Sequence, residues 1–490
     1  MPRQRTVDIV FAGLAFAVLY GLLRSAGQTP DGLSYALAAR TGIDLYHPHH
    51  LLYGPVTRFV YLLTGSPDAI LAGVLHNLAW LVVLAFGAWR LALGLGRSHV
   101  MALLTAVALL SCRGVMFYST HVETYLPALA CLAMFAAAWF RPQSLAAAAA
   151  WLALAVLYHQ TNVLLVLPLL LASNTRRRDF LRVVLPAGAA VVAFYVAGWR
   201  LGGSGLAFVP WLLTYLQADV PAWGSSTHFS WGGWQALSLS QMQMILPVPG
   251  KAAVLAAVLL PVLLFALAWH HLPRVERRRE RRFALAWLAA YLPFFLWWIP
   301  ADPDFFLATL LPLWLLVLLW LGDRRVQPTW RHWALPVAAL LAGNLWFTAR
   351  PLSRDPGELH RLARQVDAAV DRETTLVVGY GLQQELLAFT PRAAVFEGDG
   401  LGVRLAAGGA ALPTTTAVLV QADYLRLQLT RATAADENLL RSLLAYEADG
   451  PTCRTYTVVP GAVGLLISGE RQPAAPWAEL WAGLRAQGRD

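Results

Sequence analysis

Apolar runs of roughly the length of a bilayer crossing fill the first 350 residues, and they limit the chain to a membrane fold more firmly than any motif it carries. A helix needs about 20 predominantly apolar residues to cross. Such runs are read at Val7 to Leu23, Ile70 to Leu93, Val100 to Cys112, Val122 to Phe140, Ser144 to Tyr158 and Val163 to Ala172. Further runs follow at Val183 to Trp199, Ala252 to Trp269, Phe283 to Trp298, Phe306 to Leu321 and Ala334 to Phe347. The expectation is an all-α polytopic membrane protein of about 11 transmembrane helices. Two runs, Val100 to Cys112 and Val163 to Ala172, are short and require buried or tilted neighbours.

Composition agrees. Of 490 residues, 58% are apolar and 13% charged, about half the roughly 25% of a soluble domain. A soluble enzyme, a disordered chain and a disulfide scaffold are excluded together. Cys112, Cys131 and Cys453 lie far apart and offer neither a zinc spacing nor a disulfide framework. The first run lacks a fitting small-residue cleavage site and is read as an anchor.

A net charge of +10 would point to nucleic acid in a soluble protein, but its placement says otherwise. With the amino terminus inside, the cytoplasmic loops collect eighteen arginines, among them Arg176 to Arg178 and the run Arg277 to Arg282, while the opposite loops collect Arg24, Arg40, Arg58, Arg113, Arg200 and Lys251. Translocating basic loops is unfavourable, so this asymmetry sets one orientation in an inner or plasma membrane. Eleven crossings then put the carboxy terminus outside, where residues 351–490 change texture. Thr374 to Gly379, Ala393 to Glu397, Thr416 to Gln421 and Gly464 to Ser468 read as strands, with helices at Leu382 to Phe389 and Asn438 to Tyr446. A small extracytoplasmic α/β domain is expected there. Gly379 and Gly381 read as an ordinary strand-to-helix turn.

Ionisable residues near a membrane are costly and mark the first places to look for function. The first outer loop, 24–69, carries Asp31, His47, His49, His50 and Arg58. Asp31 after Pro30 is equally a helix N-cap. The three histidines suit a metal, a phosphate or the headgroup level, the metal being least favoured because no second ligand set accompanies them. A second island, Thr120 to Tyr125, includes Glu123 and Tyr125; Thr120 and Glu123 also satisfy the capping-box spacing. His159-Gln160-Thr161-Asn162 is a polar turn between apolar runs. In Trp297 to Phe305, Asp304 suits a cap, and the pair Asp302 and Asp304 also suits hard-oxygen coordination of a divalent cation. The outer loop 200–250 adds Trp211, Tyr215, Trp223, His228, Trp231 and Trp234, which fit lipid or stacked sugar equally. Each island has a structural explanation, yet all four fall on the outer side by arginine counts that hardly used them. That convergence predicts one polar chamber open to the outside.

On these residues the chain resembles the GT-C superfamily of polytopic glycosyltransferases, particularly bacterial relatives of the protein O-mannosyltransferases. Asp31 takes the position of the acidic residue that follows the first span, His47-Pro48-His49-His50-Leu51-Leu52-Tyr53 is similar to a His-Pro-rich segment, and Val122-Glu123-Thr124-Tyr125 to an acidic-aromatic span start. The resemblance implies transfer of a sugar from a polyprenyl-phosphate donor to an extracytoplasmic acceptor hydroxyl on a glycan, lipid or protein, with inversion. It implies Asp31 as base, His47, His49, His50, Arg58 and Arg200 around the phosphate, and Glu123, Tyr125, His159 and Asn162 around the sugar. The acidic pair usual in the mannosyltransferases is absent beside Asp31, so their donor and acceptor do not carry over. No cofactor is assigned; Asp302 and Asp304 are the candidate pair for a divalent metal. A transporter or flippase for a lipid-linked glycan is the alternative, and it needs charged groups at mid-membrane where the sequence has few; a non-catalytic envelope scaffold is the third.

Overall fold

The computed structural model describes residues 2–141, 144–172, 177–202, 205–213, 224–272, 277–322, 330–357, 360–361, 363–364, 375–378, 382–389, 417–420, 453–459 and 462–467. The chain divides into two compact units, residues 1–25 with 38–354, and residues 26–37 with 355–490.

The first unit is helical. Its long elements are α1 (Pro2–Leu22), α3 (Tyr53–Thr64), α4 (Ala69–Gly94), α5 (His99–Leu110), α6 (Arg113–Thr120), α7 (Tyr125–Trp139) and α8 (Leu145–Tyr158). After them come α9 (Val166–Ala172), α10 (Arg177–Gly202), α11 (Phe208–Leu212), α12 (Trp231–Gln243), α13 (Ala253–His271), α14 (Arg278–Trp298), α15 (Leu307–Gly322) and α16 (Trp330–Asn344). The helix α2 (Pro30–Thr41) supplies residues to both units. Every expected apolar run overlaps a helix. Five of the described helices are long and apolar enough to cross a membrane alone, six if a bent pair is one span, and the stretches Tyr125–Trp139, Leu145–Tyr158 and Gln160–Ala172 are shorter apolar helices.

Outward-facing Phe11, Leu185, Val262, Phe265 and Leu335 are exposed. Such a surface is an aggregation hazard in water and the ordinary exterior of a chain in lipid. By contrast α7 is almost wholly buried, from Leu126 to Trp139. At 1.5 Å per residue it extends about 22 Å, less than the hydrocarbon thickness. A short helix of this kind is tolerable because its neighbours α4, α8 and α15 cover it from lipid. Gly73 is needed for that packing, since a Cβ there would stand 2.4 Å from Val122 Cγ1.

The run expected at Val100 to Cys112 does not end at Cys112. It continues as α6 after a 63° bend. Breaking a helix frees backbone groups that need partners inside a membrane protein, and they find them at the end of α12: Arg113 N donates to Ile245 O (3.2 Å) and Gly114 N to Met244 O (2.8 Å). From α16, Asn344 Nδ2 donates to Ser111 O (2.7 Å) and Ile245 O (2.9 Å).

In the second unit, β1 (Thr375–Val378) pairs in parallel with β2 (Ala417–Val420), and β3 (Cys453–Val459) pairs antiparallel with β4 (Ala462–Ile467). Helix α17 spans Leu382–Phe389. The strand expected at Ala393 to Glu397 and the helix expected at Asn438 to Tyr446 lie outside the described residues, while β3 was not anticipated. Around α17, His360 Nδ1 lies 3.0 Å from Glu385 Oε2, and burial pushes the Glu385 carboxyl above its ordinary range.

Candidate functional site

Proline at the first position starts a 3-10 turn, Pro48–His50, whose N-cap is His47: its Nδ1 accepts from His49 N at 3.3 Å. Three hydrogen bonds seat this turn. Tyr195 OH donates to Pro48 O (2.7 Å), Leu52 N donates to Leu157 O (3.1 Å), and the His50 ring donates to Tyr158 O. The segment therefore docks on the carboxy-terminal end of α8, where the chain leaves the helix at His159.

That docking gathers the imidazoles. His47 stacks with His50 at 5.7 Å between centroids, and His49 lies 5.8 Å from His50. The His50 and His159 rings are 4.9 Å apart, and Tyr125, at the start of α7, lies 5.0 Å from His159 and 6.4 Å from His50. Phe305 closes the group at 5.7 Å from His159 and 6.0 Å from Tyr125. His50 and His159 are buried, whereas His47, His49, Tyr125 and Phe305 remain partly exposed, so the cluster opens on one side. His159 Nδ1 pairs with Thr161 Oγ1 at 2.6 Å. Its Nε2 is buried with no hydrogen-bond partner among the described residues, a position normally filled by a ligand or water. Burial lowers the His47 imidazole to about 4 and pushes His49 and His50 well below their ordinary range. At neutral pH the loop presents uncharged rings, each with a donor and an acceptor nitrogen.

Carboxylates border the same place. Tyr118 OH donates to Asp304 Oδ1, and Asp304, Asp302 and Glu123 are all within electrostatic reach of the Tyr125 and Tyr118 hydroxyls. Arg113 feels Asp304 and Tyr118 and donates from Nη1 to Gln243 O (3.1 Å). Asp302 caps the 3-10 turn Pro303–Phe306, its carboxylate accepting from Asp304 N (3.1 Å). Among the described residues no group of three or more His, Cys, Asp or Glu is arranged to hold a metal ion.

Glu123 is held by its backbone. Asn77 Nδ2, fully buried on α4, lies 3.0, 2.6 and 2.9 Å from the carbonyl oxygens of Tyr118, His121 and Glu123, while its Oδ1 accepts from Tyr53 OH (3.3 Å). One amide thus fixes the whole turn between α6 and α7. Thr120 Oγ1 donates to Phe117 O (3.0 Å), and α7 begins only at Tyr125.

The other expected residues have contacts of their own. Asn162 is buried, donating to Ala155 O (2.9 Å) and accepting from Tyr291 OH (3.1 Å). Arg58 Nη1 donates to Ala39 O (2.9 Å) and Arg40 O (3.3 Å), the last carbonyls of α2. Arg200 is exposed in the last turn of α10, with its guanidinium 4.8 Å from the Trp199 ring. Asp31 is exposed in the first turn of α2, in the second unit, and the side-chain cap comes from Thr29, whose Oγ1 accepts from Gly32 N (2.9 Å). Of the aromatic loop, Tyr215 and Trp223 lie outside the described residues. Arg113, Tyr118 and Asn77 are additions that no island in the sequence flagged, although an arginine interrupting an apolar run at Cys112-Arg113-Gly114 was visible.

No protein-family model and no curated protein matches the chain. Solved structures do. The crystal structure of ArnT from Cupriavidus metallidurans bound to undecaprenyl phosphate superposes with a TM-score of 0.56 at 15% identity, covering 95% of this chain and 99% of that one. The Archaeoglobus fulgidus oligosaccharyltransferase in its apo form superposes with a TM-score of 0.52 at 13% identity, covering 96% of this chain and 75% of that one. At such identities the likeness speaks for architecture alone: the chain shares the fold of these two solved structures.

Proposed function

We propose that the chain is a membrane glycosyltransferase that moves a sugar from a polyprenyl-phosphate carrier to an extracytoplasmic hydroxyl. The observation that carries this reading is the meeting of His47, His49, His50, Tyr125 and His159 at one partly open cluster, in a fold shared with a protein crystallised with undecaprenyl phosphate.

In this reading the acceptor oxygen attacks the anomeric carbon, the carbon–oxygen bond to the lipid phosphate breaks, and the anomeric centre inverts. The acceptor proton passes to a base, the role that the family resemblance gives to Asp31. Neutral imidazole N–H groups and the Arg113 guanidinium stabilise the phosphate as it departs, and Glu123, Tyr125 and Asp304 hold sugar hydroxyls. A divalent cation at Asp302 and Asp304 would draw its remaining ligands from substrate or water, and no step here depends on one. Eleven crossings, a cytoplasmic amino terminus and an extracytoplasmic α/β domain complete the proposal, supported by the arginine asymmetry.

The test is donor consumption by the purified full-length chain offered a panel of polyprenyl-phosphate sugars, with Asp31→Asn and Glu123→Gln beside it. Consumption of one donor, lost by several orders of magnitude in Asp31→Asn with expression retained, supports the assignment. If Asp31→Asn turns over normally, Asp31 is not the base; if no donor is consumed by the wild type, the activity is rejected.

A further inference from the structure

A second concave site lies in the helical unit and is independent of the proposed activity. Met101, Thr105 and Ala108 of α5, Trp314 of α15, and Trp333 and Leu340 of α16 are among the residues that line an apolar groove of about 100 Å³. On α5 and α16 the lining residues recur at the three- and four-residue spacing that places them on one helix face. The sparse polar lining is that of a site for an apolar ligand.

The polar atoms in the groove wall decide what it takes. Thr105 Oγ1 is spent on Met101 O at 2.7 Å, and Trp314 hydrogen-bonds the Cys112 sulfur. Trp333 Nε1 is different: it is buried and has no hydrogen-bond partner among the described residues. A buried indole N–H requires an acceptor. A hydrocarbon or isoprenoid chain fills the groove but offers none. An acyl ester fills it and supplies a carbonyl.

The ends of the groove differ. Near its Ala108 end, Asn344 ties α16 to the ends of α5 and α12 through Ser111 O and Ile245 O. At the Trp333 end, α16 begins with exposed Trp330, Arg331 and His332, the Arg331 guanidinium lying 5.6 Å from the Trp330 ring. Basic residues beside aromatic ones at the start of an apolar helix match the headgroup level of a membrane, where anionic lipid is attracted. The groove thus has an apolar end and an end next to basic residues, which is the polarity of a phospholipid.

We infer that this groove binds one acyl chain of an anionic glycerophospholipid, with Trp333 Nε1 donating to its ester carbonyl and Arg331 beside its phosphate. The site is a structural lipid position on the bundle, separate from the His50–His159 cluster.

The experiment titrates delipidated full-length protein in detergent with dioleoyl-phosphatidylglycerol, dioleoyl-phosphatidylcholine or undecaprenyl phosphate, counting bound molecules by native mass spectrometry. The expected result is one phosphatidylglycerol retained more tightly than phosphatidylcholine. Trp333→Phe, which keeps the ring and removes the donor, weakens it roughly three- to tenfold. Arg331→Gln erases the preference for phosphatidylglycerol, and Leu340→Trp, which fills the groove, abolishes retention. Trp333→Phe and Arg331→Gln change little bulk, so they keep the test sharp should Leu340→Trp misfold. Equal retention of phosphatidylcholine by the wild type overturns the proposal, as do unchanged phosphatidylglycerol affinity in Trp333→Phe and competition for the same position by undecaprenyl phosphate. A failure of sugar transfer would leave these binding results untouched.

Discussion

The imidazoles of His50 and His159 face one another at 4.9 Å, one carried by the first loop of the helical unit and the other by the break after α8. Groups in contact respond to substitution together. His50→Phe and His159→Phe are therefore expected to be non-additive, with a coupling of about 0.5–3 kcal/mol in a double-mutant cycle on thermal stability. Strict additivity would separate the two rings energetically.

The loop imidazoles also fix a pH dependence. His47 titrates near 4 in the folded chain because burial disfavours its charged form, against about 6.5 when unfolded. The unfolded state binds the proton first, so stability is complete above the unfolded value and is lost as pH falls from 6.5 toward 4. Melting curves of the wild type should show this loss, and His47→Gln should flatten the slope in that window. An unchanged slope would contradict the assignment. An anionic phosphate beside these rings would favour their protonation, so donor KM is expected to fall as pH is lowered from 8 to 6.

Asn77 is expected to be among the least replaceable residues of the bundle. Asn77→Leu removes the two N–H groups shared among the carbonyls of Tyr118, His121 and Glu123 in a buried turn, at about 1–3 kcal/mol for each carbonyl left unsatisfied. Asn77→Asp should melt lower still, because a carboxylate turns an acceptor toward acceptors. Thermal denaturation in detergent checks both.

Two arginines should separate by their kinetics. Arg58 closes the end of α2, so Arg58→Gln is expected to cost about 1 kcal/mol of stability with donor KM unchanged. Arg113 lies beside Asp304 and Tyr118, so Arg113→Gln should raise donor KM about tenfold or more. Equal KM values for the two variants would remove Arg113 from the site.

The helices were legible in the sequence because apolar runs announce themselves, and the polar islands at His47 to His50, Tyr125 and His159 were legible because charge and imidazole are costly there. Other features depend on contacts that no local pattern encodes. The continuation of the Val100 run into α6 depends on carbonyls offered by Met244 and Ile245, far along the chain. Asn77 reads as one amide in an apolar helix, and only the fold reveals the three carbonyls beneath it. Asp31 was read as a cap candidate from Pro30-Asp31, yet Thr29, one residue before the proline, makes the bond, since the proline takes the first helical position and pushes the cap back. In the α/β unit, Thr374 to Gly379, Thr416 to Gln421 and Gly464 to Ser468 overlap observed strands, whereas Cys453–Val459 was passed over because its polar Arg454, Thr455 and Thr457 dilute the apolar signal.

The most direct measurement is equilibrium binding of undecaprenyl phosphate to the purified chain, compared with His159→Phe. If the imidazole cluster is the phosphate site, the wild type binds saturably and the variant binds at least tenfold more weakly while melting at a similar temperature. Identical affinity in the two proteins would place the carrier somewhere else and contradict the account.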